Sequence, residues 1–361
     1  MAIRRSSIVL GAVGVVLIAL ALVIRFVVVP IATQLPGSTD LPVTYSGTGT
    51  LLNSAALSSG DTSHVIASNV PITVDRQVKV TSVHGGTAIV ADDLTIHAGN
   101  KTLPSDHTYA LDRTTLEGVT PPPGIAVEPS RGALSSTFPI GPQANDSYRY
   151  YDSTTRGIVP ISYTGHATRA GGSVNVYTIA STGAVKDPGL LKLLPPSLPK
   201  KLIASLAPLL PAAVQAKITP ATLAALPNPV PLSYTGTTHI VAYVDSQTGV
   251  PIDETVSEQV VVNVAARAQT LSLIPVLALD FHATPASVKY LASKAKTAGE
   301  LLTLIKVIVP IVLVVIGVVL LVIAILRRRK PAATPAAARA AADGAPEPQP
   351  ESSRLDTSPP R

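Results

Sequence analysis

A β-rich (α+β) domain with a Pro-punctuated helical insert, held between N- and C-terminal transmembrane helices, is the fold class that the sequence predicts. Three observations carry it. Two long uncharged apolar runs stand near the ends of the chain. Thr- and Val-rich segments between them alternate apolar and polar residues at period two. One Leu- and Ala-rich stretch is cut by prolines at short intervals.

The runs Ser6–Ile24 and Val307–Leu326 contain no charged residue. At about 1.5 Å of rise per residue, each helix spans a hydrocarbon core roughly 30 Å thick. Arg4 and Arg5 precede the first run, and Arg327, Arg328, Arg329 and Lys330 follow the second. Positive flanks stay cytoplasmic, so both termini are expected inside and the central domain outside a cell membrane crossed twice. Arg25, near the outer end of the first run, has a stem long enough to reach the headgroups. A cleaved signal peptide needs a shorter apolar core and a small-x-small site. The length of the run and the stretch Val28-Val29-Pro30-Ile31-Ala32 favour an uncleaved anchor.

The expected organisation is a cytoplasmic N-terminus at 1–7, a transmembrane helix at 8–29, an extracytoplasmic β-rich domain at 30–306, a second transmembrane helix at 307–326 and a disordered cytoplasmic tail at 327–361. The Pro/Ala-rich tail cannot build a core.

The net charge of +6 is local. Residues 1–30 carry +3 and residues 301–330 carry +5, whereas residues 31–300 hold 17 Lys/Arg against 18 Asp/Glu. The basic balance therefore reports membrane orientation, and no nucleic-acid partner is expected. The absence of cysteine excludes thiolate catalysis, iron–sulfur clusters and cysteine zinc sites. A domain of this length buries a core without disulfide staples.

Strands dominate the central domain. Ile72 to Val83 alternates at period two, as a half-buried strand must. His84-Gly85-Gly86-Thr87 breaks the run and Ala88-Ile89-Val90 resumes it, which is a hairpin signal. Val174–Ala180, His239–Val244, Glu258–Val264 and Leu271–Leu279 behave alike.

Two internal echoes recur. Pro-Val-Thr-Tyr-Ser-Gly at 42–47 returns as Pro-Ile-Ser-Tyr-Thr-Gly at 160–165 and Pro-Leu-Ser-Tyr-Thr-Gly at 231–236. A turn pattern begins at Asp112, Asp152 and Asp245 and ends at Gly118, Gly157 and Gly249. Asp caps such a turn through its side chain, and Gly is expected at the positive-φ position that closes it. The three aspartates are thus turn residues first.

Residues 187–231 differ. Leu190–Leu194, Leu202–Leu206, Ala212–Ala216 and Ala221–Leu226 are helix-like and are separated by prolines, which end helices and start them. Short helices joined at sharp angles are expected, packed on each other and on the sheet, or forming a lid over an apolar pocket. A membrane-proximal helix is expected at 284–306, with Thr284 as N-cap and Pro285 at N1, running through Gly299 towards the second span.

No catalytic, cofactor or metal-binding set is assigned, and no ligand-binding residue is singled out. The chain has no His-Glu-x-x-His, no phosphate-binding loop and no nucleophile elbow. Ser197…Lys200 and Ser293…Lys296 match a Ser-x-x-Lys spacing without its companion motifs. The histidines at 64, 84, 97, 107, 166, 239 and 282 lack metal-ligand spacing. Asp92-Asp93 reads as a solvated loop pair, since neighbours on a strand face opposite ways.

The stretch from His107 to Thr115, then Phe138-Pro-Ile-Gly141, Tyr151 to Pro160 and Tyr243 to Pro251, resembles the actinobacterial porin PorA family. The resemblance covers nearly the whole chain except the insert and the tail. It implies an N-terminal anchor, a β-rich extracytoplasmic domain and a C-terminal span. It supplies no catalytic residues.

The double anchor, the Leu-rich insert and the missing catalytic sets make a non-enzymatic envelope protein the leading expectation, its ectodomain binding or transferring an apolar or lipid component. An oligomeric porin or channel and an envelope scaffold or adhesion module are the alternatives. The expected partners are membrane lipids, with other envelope proteins or self-association as further candidates, and no cofactor is expected.

Overall fold

The computed structural model describes residues 5–266 and 269–329; of the tail expected at 327–361, Arg327 to Arg329 continue the last helix and 330–361 lie outside the described residues. In chain order the elements are α1 (Arg5–Val23), α2 (Val29–Ala32), β1 (Asp40–Leu52), α3 (Ser54–Ser59), β2 (Ile66–His84), β3 (Thr87–Ala98), β4 (Lys101–Asp112), β5 (Arg149–Asp152), β6 (Gly157–Arg169), β7 (Gly172–Ala184), α4 (Pro188–Leu193), β8 (Ser197–Leu198), α5 (Lys200–Leu206), α6 (Ala212–Gln215), α7 (Pro220–Ala225), β9 (Val230–Asp245), β10 (Pro251–Ala266), β11 (Gln269–Ala283), α8 (Pro285–Thr303) and α9 (Val309–Arg329). They fall into two units, one containing α1 and α9 and the other running from Ile24 to Ile308.

The first unit is a pair of helices whose side chains are largely exposed apolar groups, among them Val16 and Ile311. Gly11 lies beside Ala324 and Gly14 beside Gly317, so the two helices run antiparallel. A Cβ on Gly14 would stand 2.7 Å from the Gly317 carbonyl oxygen. Small residues at this crossing let the backbones approach, which is how helices pack where no hydrophobic force draws them together. Both helical segments are long and apolar enough to cross a membrane.

The second unit is built on one antiparallel sheet in the order β4-β3-β2-β1-β11-β10-β9-β7-β6-β5, with β8 paired to β9. Pairing of β1 with β11 joins the two ends of the domain. The alternating run at 72–83 lies within β2, and Gly85 (φ +61) turns the chain into β3. At the β6–β7 hairpin, Ala170 (φ +46) and Gly171 (φ +80) both take left-handed conformations. That is the two-residue turn whose twist matches its strands.

The Asp turns form as expected, with one correction. Asp112 accepts from the backbone N–H groups of Thr114 and Thr115, both at 2.8 Å. Asp245 accepts from Gln247 and Thr248. Asp152 accepts from Thr155 and from the Ser181 hydroxyl. Glycine takes positive φ only at Gly249 (φ +76); in the other two turns Leu116 (φ +57) and Arg156 (φ +52) do so. Gly118 serves close approach instead, because a Cβ there would meet the Ser130 hydroxyl.

The convex face of the sheet is polar where its central strands are followed. Thr73, Asp75, Gln77 and Lys79 on β2 are exposed, as are Thr255, Ser257 and Gln259 on β10. A lipid-facing barrel needs an apolar band at such positions. The concave face is apolar and carries the main core. Val230, Val262, Leu273 and Leu279 of the sheet share it with Leu194, Ile203, Leu210 and Leu226 of the insert. The insert is the expected series of short helices, α4 to α7, arising between two adjacent antiparallel strands: Ala184 at the end of β7 pairs with Thr235 on β9.

Thr284 caps α8 by accepting from Ser287 N–H, and the Ser287 hydroxyl donates to the Thr44 carbonyl on β1. Gln247 at the β9–β10 turn donates to the Gly299 carbonyl at 2.9 Å. A Cβ on Gly299 would lie 2.6 Å from the Gln247 amide oxygen, so glycine permits this docking.

Candidate functional site

Period-two alternation sends one set of side chains from each strand into the concave face. On β2 that set is Ile72, Val74, Arg76, Val78 and Val80, and on β10 it includes Ile252, Glu254, Val256, Glu258 and Val260. The inward rows are thus apolar with a few ionisable interruptions. These interruptions meet around a cavity of about 390 Å³. Both edge strands contribute to its wall, Leu103 and His107 from β4 and Tyr150 and Asp152 from β5, so the sheet curls until its two edges face one space.

The apolar part of the wall includes Leu51, Leu94, Ile96, Leu277 and Phe281 from the sheet. Leu190, Leu193 and Leu194 of the insert close over it, and Leu193 is 49% exposed. The insert packs on the sheet, as the first of its two expected arrangements has it, and these three leucines line the cavity. Asp187 holds its first helix by accepting from Gly189 and Leu190 N–H.

Arg76 centres the polar part. Its Nε and Nη2 donate to the two carboxylate oxygens of Asp92, each at 2.8 Å. Nη1 donates to Glu254 at 3.4 Å and Nη2 also to the Ser136 carbonyl at 3.3 Å. Tyr45 donates its hydroxyl to Glu254 at 2.8 Å. Burial opposes the guanidinium charge, but the neighbouring Asp92 and Glu254 outweigh it and raise the Arg76 pKa. Burial, reinforced by Glu254, pushes the Tyr45 hydroxyl well above its usual range, so it remains a donor. The bidentate Arg–carboxylate geometry is the strong form of such a pair.

This placement corrects the reading of Asp92-Asp93 as a loop pair. Both residues lie on β3. Asp92 faces inward and is 8% exposed in its pair with Arg76, whereas Asp93 is exposed.

A second polar group closes the seam between the sheet edges. Glu128 accepts from the Tyr151 hydroxyl on β5 at 2.7 Å and lies 2.8 Å from Nδ1 of His107 on β4. Burial alone would raise the Glu128 pKa, but the hydrogen bonds from His107 and Tyr151 prevail and lower it. For His107 burial would lower the pKa, and Glu128 prevails and raises it. Of the seven histidines, His107 is the one in this seam; His64 pairs with Asp61 and His97 with Asp75 near the surface.

Elsewhere in the wall, Glu258 accepts from the Thr154 hydroxyl at 2.7 Å. Burial raises its pKa against that hydrogen bond, with Asp152 and Asp187 adding to the rise. The hydroxyls of Ser135, Ser136 and Thr238 are buried in the same wall without a protein partner. The two Ser-x-x-Lys pairs are elsewhere: Ser197 is in β8 with Lys200 opening α5, and Ser293 and Lys296 are on α8. Among the described residues no group of three His, Asp or Glu side chains could hold a metal ion.

A β-rich domain with an internal pocket and two membrane-length helices define the class: a membrane protein that carries a folded domain between its anchors. The chain belongs to the Porin PorA family, whose model matches residues 6–326. No curated protein matches the chain. Among solved structures, a MaoC-like dehydratase from Phytophthora capsici is 9% identical, with 68% of this chain and 72% of that one covered at a TM-score of 0.14. A second MaoC-like dehydratase is 12% identical, with 67% and 75% covered at a TM-score of 0.13. Likeness at that level carries no argument about fold or activity.

Proposed function

We propose that this protein is a non-enzymatic component of the cell envelope whose β-rich domain, outside the cytoplasm, binds or transfers a lipid-type amphiphile. The cavity carries the reading: apolar walls with a few convergent polar groups suit a small amphiphile, and its volume of about 390 Å³ falls in the usual range of ligand sites. Basic residues at 4–5 and 327–330 support cytoplasmic termini. Native mass spectrometry of the full-length protein released from nanodiscs tests the binding. A discrete added mass that solvent extraction removes is expected. A bare protein mass in every charge state overturns it.

An oligomeric channel is the second reading, favoured by the family's description as a porin. A two-helix chain lines a pore only by self-association. Stable conductance in planar bilayers, lost when 309–329 is replaced by an unrelated apolar helix, is what that reading requires.

A further inference from the structure

Two cations lie on the residues that lead from the second unit into the apolar helices, and neither has a counter-ion among the described residues. Arg25 is in a π-helical turn at Ile24–Val28 and Lys306 in another at Leu304–Ile308. Proline places both turns. Pro30 lacks the N–H that would bond the Phe26 carbonyl, and Pro310 lacks the one that would bond the Lys306 carbonyl. A helix so interrupted takes up an extra residue, and such turns gather at functional positions. The two turns pack against each other, and Lys306 stands within electrostatic range of Arg25.

Their surroundings make two like charges costly. Lys306 is half-buried. Phe26 and Ile31, beyond Arg25, and Leu301 and Leu304, before Lys306, are exposed apolar side chains. The apolar surface therefore continues past both cations on the domain side, and the charges lie inside that band. No ion pair among the described residues includes either of them. Glu300, the acidic residue of α8, is exposed and stands about 9 Å along the helix from Lys306. A charge within an apolar band is costly until an opposite charge meets it. An anion held by both residues would offset the desolvation and the mutual repulsion together.

We propose that Arg25 and Lys306 together hold the phosphate of a net-anionic phospholipid on the domain side of the two apolar helices. This site is separate from the cavity and stands or falls without it. Phe26, Leu301 and Leu304 offer the acyl chains an apolar flank. A zwitterionic lipid fits less well, because its ammonium group adds a third positive charge beside the two cations. Free phosphate brings the same chemistry but gains nothing from the apolar flank.

Quenching by brominated lipids tests this in the full-length protein. Phe26→Trp supplies the reporter, because the chain contains no tryptophan. It is reconstituted in vesicles of phosphatidylcholine and phosphatidylglycerol, with bromine on the acyl chains of one lipid or the other. The basic residues at 4–5 and 327–330 also attract anionic lipid, but they flank the opposite ends of the apolar runs, beyond short-range quenching of the reporter. Brominated phosphatidylglycerol is expected to occupy the position beside the reporter roughly tenfold more strongly than brominated phosphatidylcholine. Arg25→Gln with Lys306→Gln, in the same reporter chain, is expected to bring the two lipids to parity. Arg25→Lys with Lys306→Arg keeps both charges and is expected to keep the preference. Equal quenching by the two lipids overturns the site, and so does a preference that survives the double Gln variant. Loss of the preference on adding excess inorganic phosphate, at constant ionic strength, overturns the lipid as the source of the anion.

Discussion

The sheet wall of the cavity and the insert that covers it are built on different principles. The wall is a continuous antiparallel ladder riveted by charge: Arg76 joins β2 to Asp92 on β3 and Glu254 on β10, and Glu128 joins the two sheet edges through His107 and Tyr151. The insert is four short helices separated by prolines. It is attached mainly through apolar side chains such as Ile203 and Leu226, with a few polar ties, among them Tyr234 OH to the Pro195 carbonyl. Charge pairs fix geometry because they fail when a partner moves; apolar contacts tolerate repacking. On the proposed reading the two layers divide the work: the wall would set what the cavity recognises and the insert what it encloses.

The largest expected effect breaks the wall. Arg76→Met leaves Asp92 and Glu254 buried without their cation, and the loss is about 3–5 kcal/mol. Chemical denaturation of the β-rich domain reads it. A loss under 1 kcal/mol would mean that the ladder alone holds the wall.

Ile203→Ala tests the insert. The side chain is 2% exposed, and its truncation costs about 2–5 kcal/mol. Hydrogen exchange is expected to lose protection within 187–229 and to keep it in β9 and β10. Loss spread evenly over the sheet would contradict the separation of the two layers.

Glu128→Gln weakens the seam by about 2 kcal/mol, the usual cost at a charged hydrogen bond. The effect depends on pH. His107 has a raised folded pKa, so its contribution is whole below the unfolded value of about 6.5 and is lost as pH rises through the folded one. Glu128 has a lowered folded pKa, so its contribution is present above about 4.3 and is lost as pH falls through the folded value. Denaturation midpoints of wild type and variant should therefore differ most between about pH 4.3 and 6.5, where both terms operate. A difference independent of pH would remove the ion pair from the account.

The smallest effect lies outside both layers. Ala170 holds φ +46, a conformation that costs an L-residue about 1–2 kcal/mol. Ala170→Asn places the favoured Asn-Gly pair in the β6–β7 turn and is expected to raise stability by about 0.5–1 kcal/mol in the same denaturation assay.

Much of the wall was legible in the sequence. Alternation located the run at 72–83, and the same period puts Arg76 on the inward face with Val74 and Val78. That was the available signal for the central cation: a charge in the apolar phase of a strand. Glu254 and Glu258 carry the same signal on β10. Glu128 carries none, because it comes from the irregular segment between β4 and β5 and its role depends on two strands meeting in space. Asp92 was misread because Asp-Asp suggests a loop, while its ion-pair partner lies across a hairpin and is invisible to local pattern. The insert was legible from its prolines, but a leucine's contact with solvent, core or cavity is a tertiary property. The serines and threonine without partners had no local mark at all.

On the proposed reading the insert encloses a bound amphiphile against a wall that folds without it. Because β7 and β9 are paired neighbours, deleting 190–227 leaves a hairpin between them. Native mass spectrometry of the full-length deletion variant, with circular dichroism of the same sample, separates the two layers. Retained β-sheet signal is expected, with loss of the added mass that wild type carries. Retained sheet with the added mass unchanged would contradict it.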